Sequence, residues 1–353
     1  MKNKEINILE LFSGIGGFSK GFEEAGYNLK NHYFSEVDKH AIANYKYNFP
    51  NAKHLGSVTN VYGRDLSHID IITFGSPCQD FSLAGKQLGM EGERSVLILE
   101  AIRIIRECRP SVFIWENVKG VFSSNNGADF WAVLAAFANI GGYRLEWQLL
   151  NTSWFLPQNR ERIYLVGHLA NRSECGVFPI TESNGIHYKP IENQKEIHED
   201  SLCLTSKGNS NNTGSFVKSV KVAHVSRTDE AKEIRRESMK NGKDYTPFQG
   251  KKLEFKESDV MNTITCATQK DNLIQTDNIR RLTEIECERL QGFSDNWTKW
   301  GIYEKQVWIN KKENTFKIIE EVNEIPKTQR YKMCGNAVTV AVVKCIALRI
   351  MAI

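Results

Sequence analysis

The chain has 353 residues, of which 41% are hydrophobic and 25% are charged, proportions typical of a globular protein that can bury its own core. Its eight cysteines include no C-x-x-C pair, which argues against a structural zinc site, and their scatter fits a reducing compartment. No apolar run approaches the length of a bilayer crossing, and the first residues are too polar for a signal peptide. We therefore expect a cytoplasmic protein with no membrane contact and no bound metal. The formal net charge of +4 permits a nucleic-acid partner without requiring one.

Short apolar segments alternate with segments of helical periodicity through the first half of the chain. We predict strands at residues 6–12, 33–35, 69–74, 112–115 and 163–166, and helices at residues 18–25, 39–48, 96–107 and 130–140. This alternation indicates an α/β fold, a doubly wound and mostly parallel sheet with helices on both faces. Ligands of such sheets bind beyond the carboxyl ends of the strands.

The second half of the chain has a different character. Residues 183–278 are polar and irregular, and their lysines and arginines fit a solvated surface as well as a DNA contact. Helical periodicity returns at residues 281–293, and residues 337–352 predict a last helix that packs on the sheet.

The first candidate site follows the first strand, where residues 12–17 read Phe-Ser-Gly-Ile-Gly-Gly. Glycines at a strand-to-helix turn let a ligand approach the backbone, and the helix N-terminus attracts an anion. Ser19 stands where a dinucleotide fingerprint needs a third glycine, which disfavours a nicotinamide cofactor. Glu36 ends the second strand, where an acid commonly holds ribose hydroxyls. A tight structural turn explains these residues about as well.

Three further motifs adjoin later strands. Cys78 follows the third predicted strand and Glu116 the fourth, while Arg160 and Arg162 precede the fifth and share one strand face with Gln158. A cysteine thiolate can act as a nucleophile, a carboxyl at a strand end as a proton donor, and guanidinium groups can bind phosphate or stabilise a thiolate. Taken one at a time, a buried inert cysteine, an exposed glutamate and a surface charge cluster remain open alternatives.

Together, and in this order, the motifs resemble those of the cytosine-5 DNA methyltransferase family of the bacterial restriction–modification type. The resemblance covers most of the chain and is carried by residues 11–18, 76–79, 116–118, 158–162, 281–293 and 330–338. It implies a Rossmann-like, S-adenosylmethionine-dependent methyltransferase sheet with a second, smaller and irregular DNA-recognition domain.

The resemblance also implies a site for S-adenosyl-L-methionine, with S-adenosyl-L-homocysteine as the product. Phe12 would stack on the adenine, and Glu36 would hold the ribose. Ser57 stands where the family often has an aspartate for the adenine amine. The other implied cofactor contacts are Gly14, Ile15, Gly16, Gly17, Val37, Val58, Pro77, Leu97, Asn336 and Ala337.

In the implied reaction, Cys78 attacks C6 of cytosine, so that C5 becomes nucleophilic enough to take a methyl group. Glu116 would bond to N3 and the exocyclic amine, and Arg160 and Arg162 would support the site. The target base must leave the helical stack before it can react. The implied DNA contacts are Gln79, Ser82, Lys86, Gln158, Thr263 and Thr265.

We expect residues 1–178, completed by residues 328–353, to form the catalytic domain and residues 179–327 to form the target-recognition domain. Residues 301–324 resemble an insertion with the character of a hairpin. The expected partner is double-stranded DNA, bound by a monomer of bacterial or phage origin that works beside a cognate restriction endonuclease. Two rival functions are a transfer-RNA cytosine methyltransferase of the same family and a non-catalytic DNA-binding protein on a methyltransferase scaffold.

Overall fold

The computed structural model describes residues 4–75, 95–170, 176–182, 221–240, 245, 251–256, 261–264, 272–275, 279–310 and 315–352. Its strands are β1 (Lys4–Leu11), β2 (Tyr27–Ser35), β3 (Lys53–His54), β4 (Ile71–Gly75), β5 (Val112–Val118), β6 (Tyr143–Asn151), β7 (Gln158–Asn159), β8 (Glu161–Leu169), β9 (Lys221–Arg227), β10 (Lys251–Phe255), β11 (Met261–Asn262), β12 (Asn272–Gln275), β13 (Ile279–Arg281), β14 (Trp300–Asn310) and β15 (Thr315–Glu324). Its helices are α1 (Gly17–Glu24), α2 (Lys39–Asn48), α3 (Ser95–Cys108), α4 (Ala128–Ala138), α5 (Asp229–Lys240), α6 (Glu284–Leu290), α7 (Lys327–Asn336) and α8 (Val340–Met351).

Seven strands form the central sheet in the order β3-β2-β1-β4-β5-β8-β6. The first five strands of that order pair in parallel, and β8 pairs antiparallel with both β5 and β6. The chain thus runs outward from β1 in both directions, which confirms the expected doubly wound α/β fold.

Neighbouring residues of each central strand face opposite sides of the sheet, as the period of two requires. On one side Ile71 and Ile114 pack against α1 and α8. On the other side Ile72 and Trp115 pack against α3 and α4. Helices therefore bury both faces, which explains why these strands are apolar throughout.

The predicted strands and helices of the first half are all present, most of them longer than predicted. Strand β6 at the edge of the sheet was not predicted. The region of helical periodicity at residues 281–293 contains the shorter helix α6, because the side chain of Thr283 caps its first turn and Gly292 follows it with a φ of 84°. The expected last helix is preceded by a separate helix, α7, and begins at Val340.

Part of the second half forms smaller units. Strands β10, β9, β12 and β13 make a four-stranded sheet, and β14 pairs with β15 along most of its length. The second pairing confirms the hairpin expected at residues 301–324. Its first strand packs on α2, where Gly301 lies so close to Ala43 that a Cβ on the glycine would be 2.9 Å away from it.

Residues between the polar region and the last helix pack beside the central sheet. Phe293 and Trp297 share a buried cluster with Ile15 and Phe34, and the indole Nε1 of Trp297 donates a hydrogen bond to the carbonyl oxygen of Ile15. These contacts attach residues 293 and 297 to the turn after β1 and to β2.

Residues 327–351 are apolar enough, by length and composition alone, to cross a membrane. Here they form two helices, and most of their apolar side chains are buried against α1 and the sheet. Packing in the protein core accounts for their composition.

Candidate active site

A cavity of about 540 Å³ opens at the carboxyl ends of β1, β2, β4 and β5, a size ordinary for a small-molecule site. A smaller cavity of about 320 Å³ lies at the opposite end of the sheet, away from the motifs. The larger cavity is lined by Phe12, Gly14, Ser35, Glu36, Val37, Asp38, Ala41, Ser57, Val58, Gly75, Leu97, Glu116, Asn117, Val118, Arg160, Arg162, Lys332, Met333, Gly335 and Asn336.

The turn after β1 forms one wall of this cavity. Phe12, Gly14 and Gly16 have φ values of 51°, 54° and 82°, in the left-handed region where glycine is favoured. A Cβ on Gly16 would also lie 2.4 Å from the ring of Phe49, so no larger residue fits there without movement. The glycines therefore set the path of the turn.

Glu36 holds this turn to the end of β2. One carboxylate oxygen accepts a hydrogen bond from the Gly14 N–H at 2.8 Å. The other accepts from the N–H groups of Val37 at 2.7 Å and Asp38 at 2.9 Å. A carboxylate has about four acceptor sites, so Glu36 can still accept hydrogen bonds from ligand hydroxyls.

A buried polar cluster supports the same turn from below. The Glu10 carboxylate accepts hydrogen bonds from the Ser19 hydroxyl at 2.5 Å and the Tyr45 hydroxyl at 2.9 Å, and His32 Nε2 lies 2.7 Å from the same Tyr45 oxygen. Burial raises the pKa of Glu10 to about 7 and lowers the pKa of His32 to about 4. The sequence does not predict this cluster, because a single glutamate within an apolar strand gives no sign of its partners.

Glu116 and Arg162 meet at the far end of the cavity. Arg162 Nε lies 3.2 Å from Glu116 Oε1, and both side chains are largely buried. The geometry of this ion pair leaves Oε1 without an aligned hydrogen bond. Gly75 makes room for the carboxylate, because a Cβ there would lie 3.2 Å from Oε2. The ion pair with Arg162 thus holds the Glu116 carboxylate at the wall of the cavity.

Arg160 holds the wall of the cavity rather than projecting into its centre. Its guanidinium donates hydrogen bonds to the carbonyl oxygens of Ile264 at 3.2 Å, Gly335 at 3.4 Å and Ala337 at 2.8 Å. It therefore fixes the segment that brings Asn336 to the cavity.

Gln158 does not fit the expected role in DNA binding. Its side chain is fully buried. The amide nitrogen donates to the Leu290 carbonyl oxygen at 2.8 Å, and the amide oxygen accepts from the Ile264 N–H at 2.7 Å. Gln158 joins β7 to α6 and to residue 264, so the expected DNA contact is corrected to a structural role.

Most predicted cofactor contacts that the structure describes do line the cavity, namely Phe12, Gly14, Glu36, Val37, Ser57, Val58, Leu97 and Asn336. Four others do not line it. Ile15 is buried in the core, the Gly16 backbone packs on aromatic rings, Gly17 faces Val338, and the carbonyl of Ala337 binds Arg160. These four lie behind the residues that line the cavity, and their expected contacts with the cofactor stay predictions.

Several predicted site residues lie outside the described part of the chain: Pro77, Cys78, Gln79, Ser82, Lys86 and Thr265. Thr263 is described, and its hydroxyl donates to the Asn159 carbonyl oxygen at 2.7 Å in a shallow groove beside Arg162. Asp38, Asn117 and Lys332 line the cavity without having been predicted as site residues. Asn117 and Lys332 lie within motifs that carry the resemblance, and Asp38 directly follows the predicted contacts Glu36 and Val37. Those positions were the available signal.

Comparisons with known proteins agree with this arrangement. The family described as C-5 cytosine-specific DNA methylase matches residues 6–352. The type II methyltransferase M1.ScrFI of Lactococcus lactis subsp. cremoris is 31% identical over 98% of this chain and 78% of its own length. The type II methyltransferase M.HaeII of Haemophilus aegyptius is 32% identical over 98% of this chain and 92% of its own.

Among solved structures, the methyltransferase EhMeth of Entamoeba histolytica has a similar fold. It superposes with a TM-score of 0.60 at 16% identity, and the alignment covers 99% of each chain. The family match spans nearly the whole chain, and the fold and the order of motifs agree with it. The chain therefore belongs to the C-5 cytosine-specific DNA methylase family and is a DNA (cytosine-5-)-methyltransferase.

Proposed function

We propose that the enzyme transfers the methyl group of S-adenosyl-L-methionine to C5 of a flipped-out cytosine in a specific duplex sequence, through a covalent bond between Cys78 and C6. The observation that carries this proposal is the position of Glu116. Its buried carboxylate, paired with Arg162, shares one cavity with Phe12 and Glu36, so the base and the cofactor would meet there.

The residues of the cavity fit S-adenosylmethionine, which supplies an electrophilic methyl group when it is bound. Phe12 offers an aromatic face for the adenine, and Glu36 has acceptor capacity for the ribose hydroxyls. No side chain projects from Gly14, and a Cβ there would have no other atom within 4 Å, so the backbone can be approached closely.

Glu116 and Arg162 would bind the cytosine. The Glu116 carboxylate lines the cavity and would accept a hydrogen bond from the exocyclic amine. A proton held between the carboxyl group and N3 would stabilise the negative charge that develops on the ring. Arg162 would keep the carboxyl oriented and the pocket electropositive.

The proposed reaction has three steps. The Cys78 thiolate adds to C6, and the electron pair of the C5–C6 double bond moves to C5. C5 would then take the methyl group that bound S-adenosylmethionine supplies, with S-adenosylhomocysteine as the leaving group. A base removes the C5 proton, and the C6–S bond breaks to restore the double bond and release the thiolate.

Duplex DNA would lie across the carboxyl end of the sheet, beside the groove that holds Thr263. The type II restriction–modification relatives support a similar setting, with a cognate restriction endonuclease as a functional partner. We propose a monomeric enzyme in the cytoplasm of a bacterium or a phage-infected cell. Its target-recognition domain would begin near residue 179, after the catalytic sheet.

Base-resolution mapping of 5-methylcytosine tests the proposal, in DNA from cells that express the wild type, Cys78→Ala or the control Cys108→Ala. Cys108 lies at the end of α3, so its loss leaves the cavity intact. We expect methylation in one short recurring context for the wild type and the control, and none for Cys78→Ala. Methylation by Cys78→Ala would overturn the covalent mechanism. A folded wild type that leaves DNA unmethylated would redirect attention to RNA.

A further inference from the structure

An ion pair joins two distant parts of the chain at the rim of the cavity. Lys332 Nζ on α7 lies 2.6 Å from Asp38 Oδ2, although the two residues are 294 positions apart in the sequence. Both residues line the cavity. The pair therefore connects the loop after β2 with the segment that ends in Asn336.

Asp38 also makes hydrogen bonds on its own side of the cavity. Its other carboxylate oxygen accepts hydrogen bonds from the N–H groups of His40 at 2.9 Å and Ala41 at 3.3 Å, which caps the first turn of α2. Although burial opposes it, the hydrogen bonds from Lys332 and from these N–H groups hold the pKa of Asp38 below its ordinary value. The carboxylate thus stays charged at neutral pH.

The loop after β2, which ends at Asp38, is also held by a contact on its inner side. Glu36 binds the Gly14 N–H, and between these two acids Val37 is 73% exposed. On the outer side of the loop, Lys332 joins it to the opposite wall, beside the buried cluster that Ala41 shares with Met333.

Buried contacts hold the opposite wall on both sides of the lysine. Arg330 is buried with Glu288 at one end of α7, and Arg160 binds the carbonyl oxygens of Gly335 and Ala337 at the other. The Lys332 side chain is 46% exposed, so it is the member of the pair that can move away.

We propose that the Lys332–Asp38 ion pair is a strap across the rim of the cavity that slows the release of the cofactor and its product. This inference rests on the proposed binding of S-adenosylmethionine in the cavity. Lys332 and Asp38 are positioning residues in this role, because each acts through the loop and helix that it connects.

A direct role of Lys332 makes a different prediction for one variant. If the ammonium group attracted the carboxylate of the cofactor, removing the charge of Asp38 would strengthen that attraction and tighten binding. In a strap, removing either charge loosens binding, and removing both adds little to removing one.

The experiment measures the dissociation rate and Kd of S-adenosylhomocysteine for the wild type, Asp38→Asn, Lys332→Gln and the double variant. The Asp38→Asn variant would keep the cap of α2, because asparagine is as good an N-cap as aspartate. The matched control is Lys30→Gln, which removes an exposed ion pair with Glu5 at 3.2 Å, away from the cavity. Melting temperatures without ligand separate a change in stability from a change in binding.

We expect each single variant to release the ligand about two- to fivefold faster, the range for a partly exposed pair, and the double variant to match the singles. The increase in dissociation rate over that of the wild type should become smaller as the salt concentration rises, because salt screens the ion pair. Tighter binding by Asp38→Asn, additive effects in the double variant, or rates equal to those of the control would overturn the strap. If the wild type failed to bind S-adenosylhomocysteine, the cofactor assignment itself would be wrong.

Discussion

Glu10 and His32 illustrate how single buried groups under the cofactor turn respond to pH in opposite directions. The pKa of Glu10 in the folded protein is about 7, above its ordinary value, so this residue costs stability as pH rises from about 4.5 to about 7. The pKa of His32 is about 4, below its ordinary value, so this residue costs stability as pH falls from about 6.5 to about 4. Between pH 4.5 and 6.5 the two contributions offset each other.

Replacing Glu10 with glutamine should expose the contribution of His32. We expect Glu10→Gln to gain about 3 kcal/mol of unfolding free energy relative to wild type as pH rises from 4.5 to 7.5, since the variant has no carboxyl to ionise in the core. The lost or altered hydrogen bonds to Ser19 and Tyr45 should add a cost that does not depend on pH. Urea unfolding at several pH values measures the difference.

The control for this prediction is Glu5→Gln, which removes a carboxyl with an exposed side chain. Its unfolding free energy should follow that of the wild type across the same range of pH. Parallel pH profiles for Glu10→Gln and wild type would show that Glu10 keeps an ordinary pKa in the folded protein.

At the scale of elements, the contact between α1 and α8 depends on a glycine. A Cβ on Gly21 would lie 2.5 Å from Val343 Cγ1 and 3.1 Å from the backbone nitrogen of Lys344. These atoms cannot all move aside, because Val343 is buried in the core. The two helices can approach this closely only if residue 21 has no side chain.

In Gly21→Ala, helix propensity therefore stabilises the protein, whereas the crowded packing destabilises it. Alanine favours an isolated helix by about 1 kcal/mol over glycine, whereas overpacking of a core costs about 1–3 kcal/mol. We expect a net loss of about 1–2 kcal/mol in the unfolding free energy, measured by urea denaturation. Glu23→Ala, on the same helix, should change it by less than about 0.5 kcal/mol. A more stable Gly21→Ala protein would show that α1 can shift to admit the methyl group.

The sequence predicted the secondary-structure elements and the candidate site to different extents. Buried parallel strands are continuous apolar runs, so they were found without difficulty. Strand β6 was missed because it lies at the edge of the sheet, where Arg144, Glu146 and Gln148 interrupt its apolar residues. The separate helix α7 was missed because its sequence lacks a strong apolar face.

The motifs located the cavity correctly, but could not say which way each side chain faces. Phe12, Glu36 and Glu116 line the cavity, as the motifs predicted. Ile15 and Gln158 belong to the same motifs, yet both are buried in contacts with other parts of the chain. The hydrogen-bond partner of Ile15 lies 282 positions away in the sequence, and that of Gln158 lies 132 positions away. Sequence periodicity gives no information about contacts at such separations.

At the scale of the whole molecule, the end of the chain returns to complete the wall of the cavity near the start. The connection between α6 and α7 depends on a buried ion pair, in which Arg330 Nη2 lies 2.9 Å from Glu288 Oε1 and neither side chain is more than 6% exposed. Glu288 also accepts hydrogen bonds from the N–H groups of Asn296 at 2.7 Å and Thr298 at 3.0 Å. One carboxylate thus organises the segment that leads into the hairpin.

Arg330→Met should destabilise the protein by about 3–5 kcal/mol, because it leaves the Glu288 charge buried without its partner. Adding Glu288→Gln should recover only part of this loss. It removes the unpaired charge, but the N–H groups of Asn296 and Thr298 bind different oxygens of Glu288, and glutamine has one amide oxygen to accept from them. Urea unfolding of the single and double variants measures both effects, and Lys305→Met, which breaks an exposed pair with Glu321, should cost less than about 1 kcal/mol. If the double variant were no more stable than Arg330→Met, the loss of stability would come from the lost packing of arginine. It would not come from the unpaired charge of Glu288.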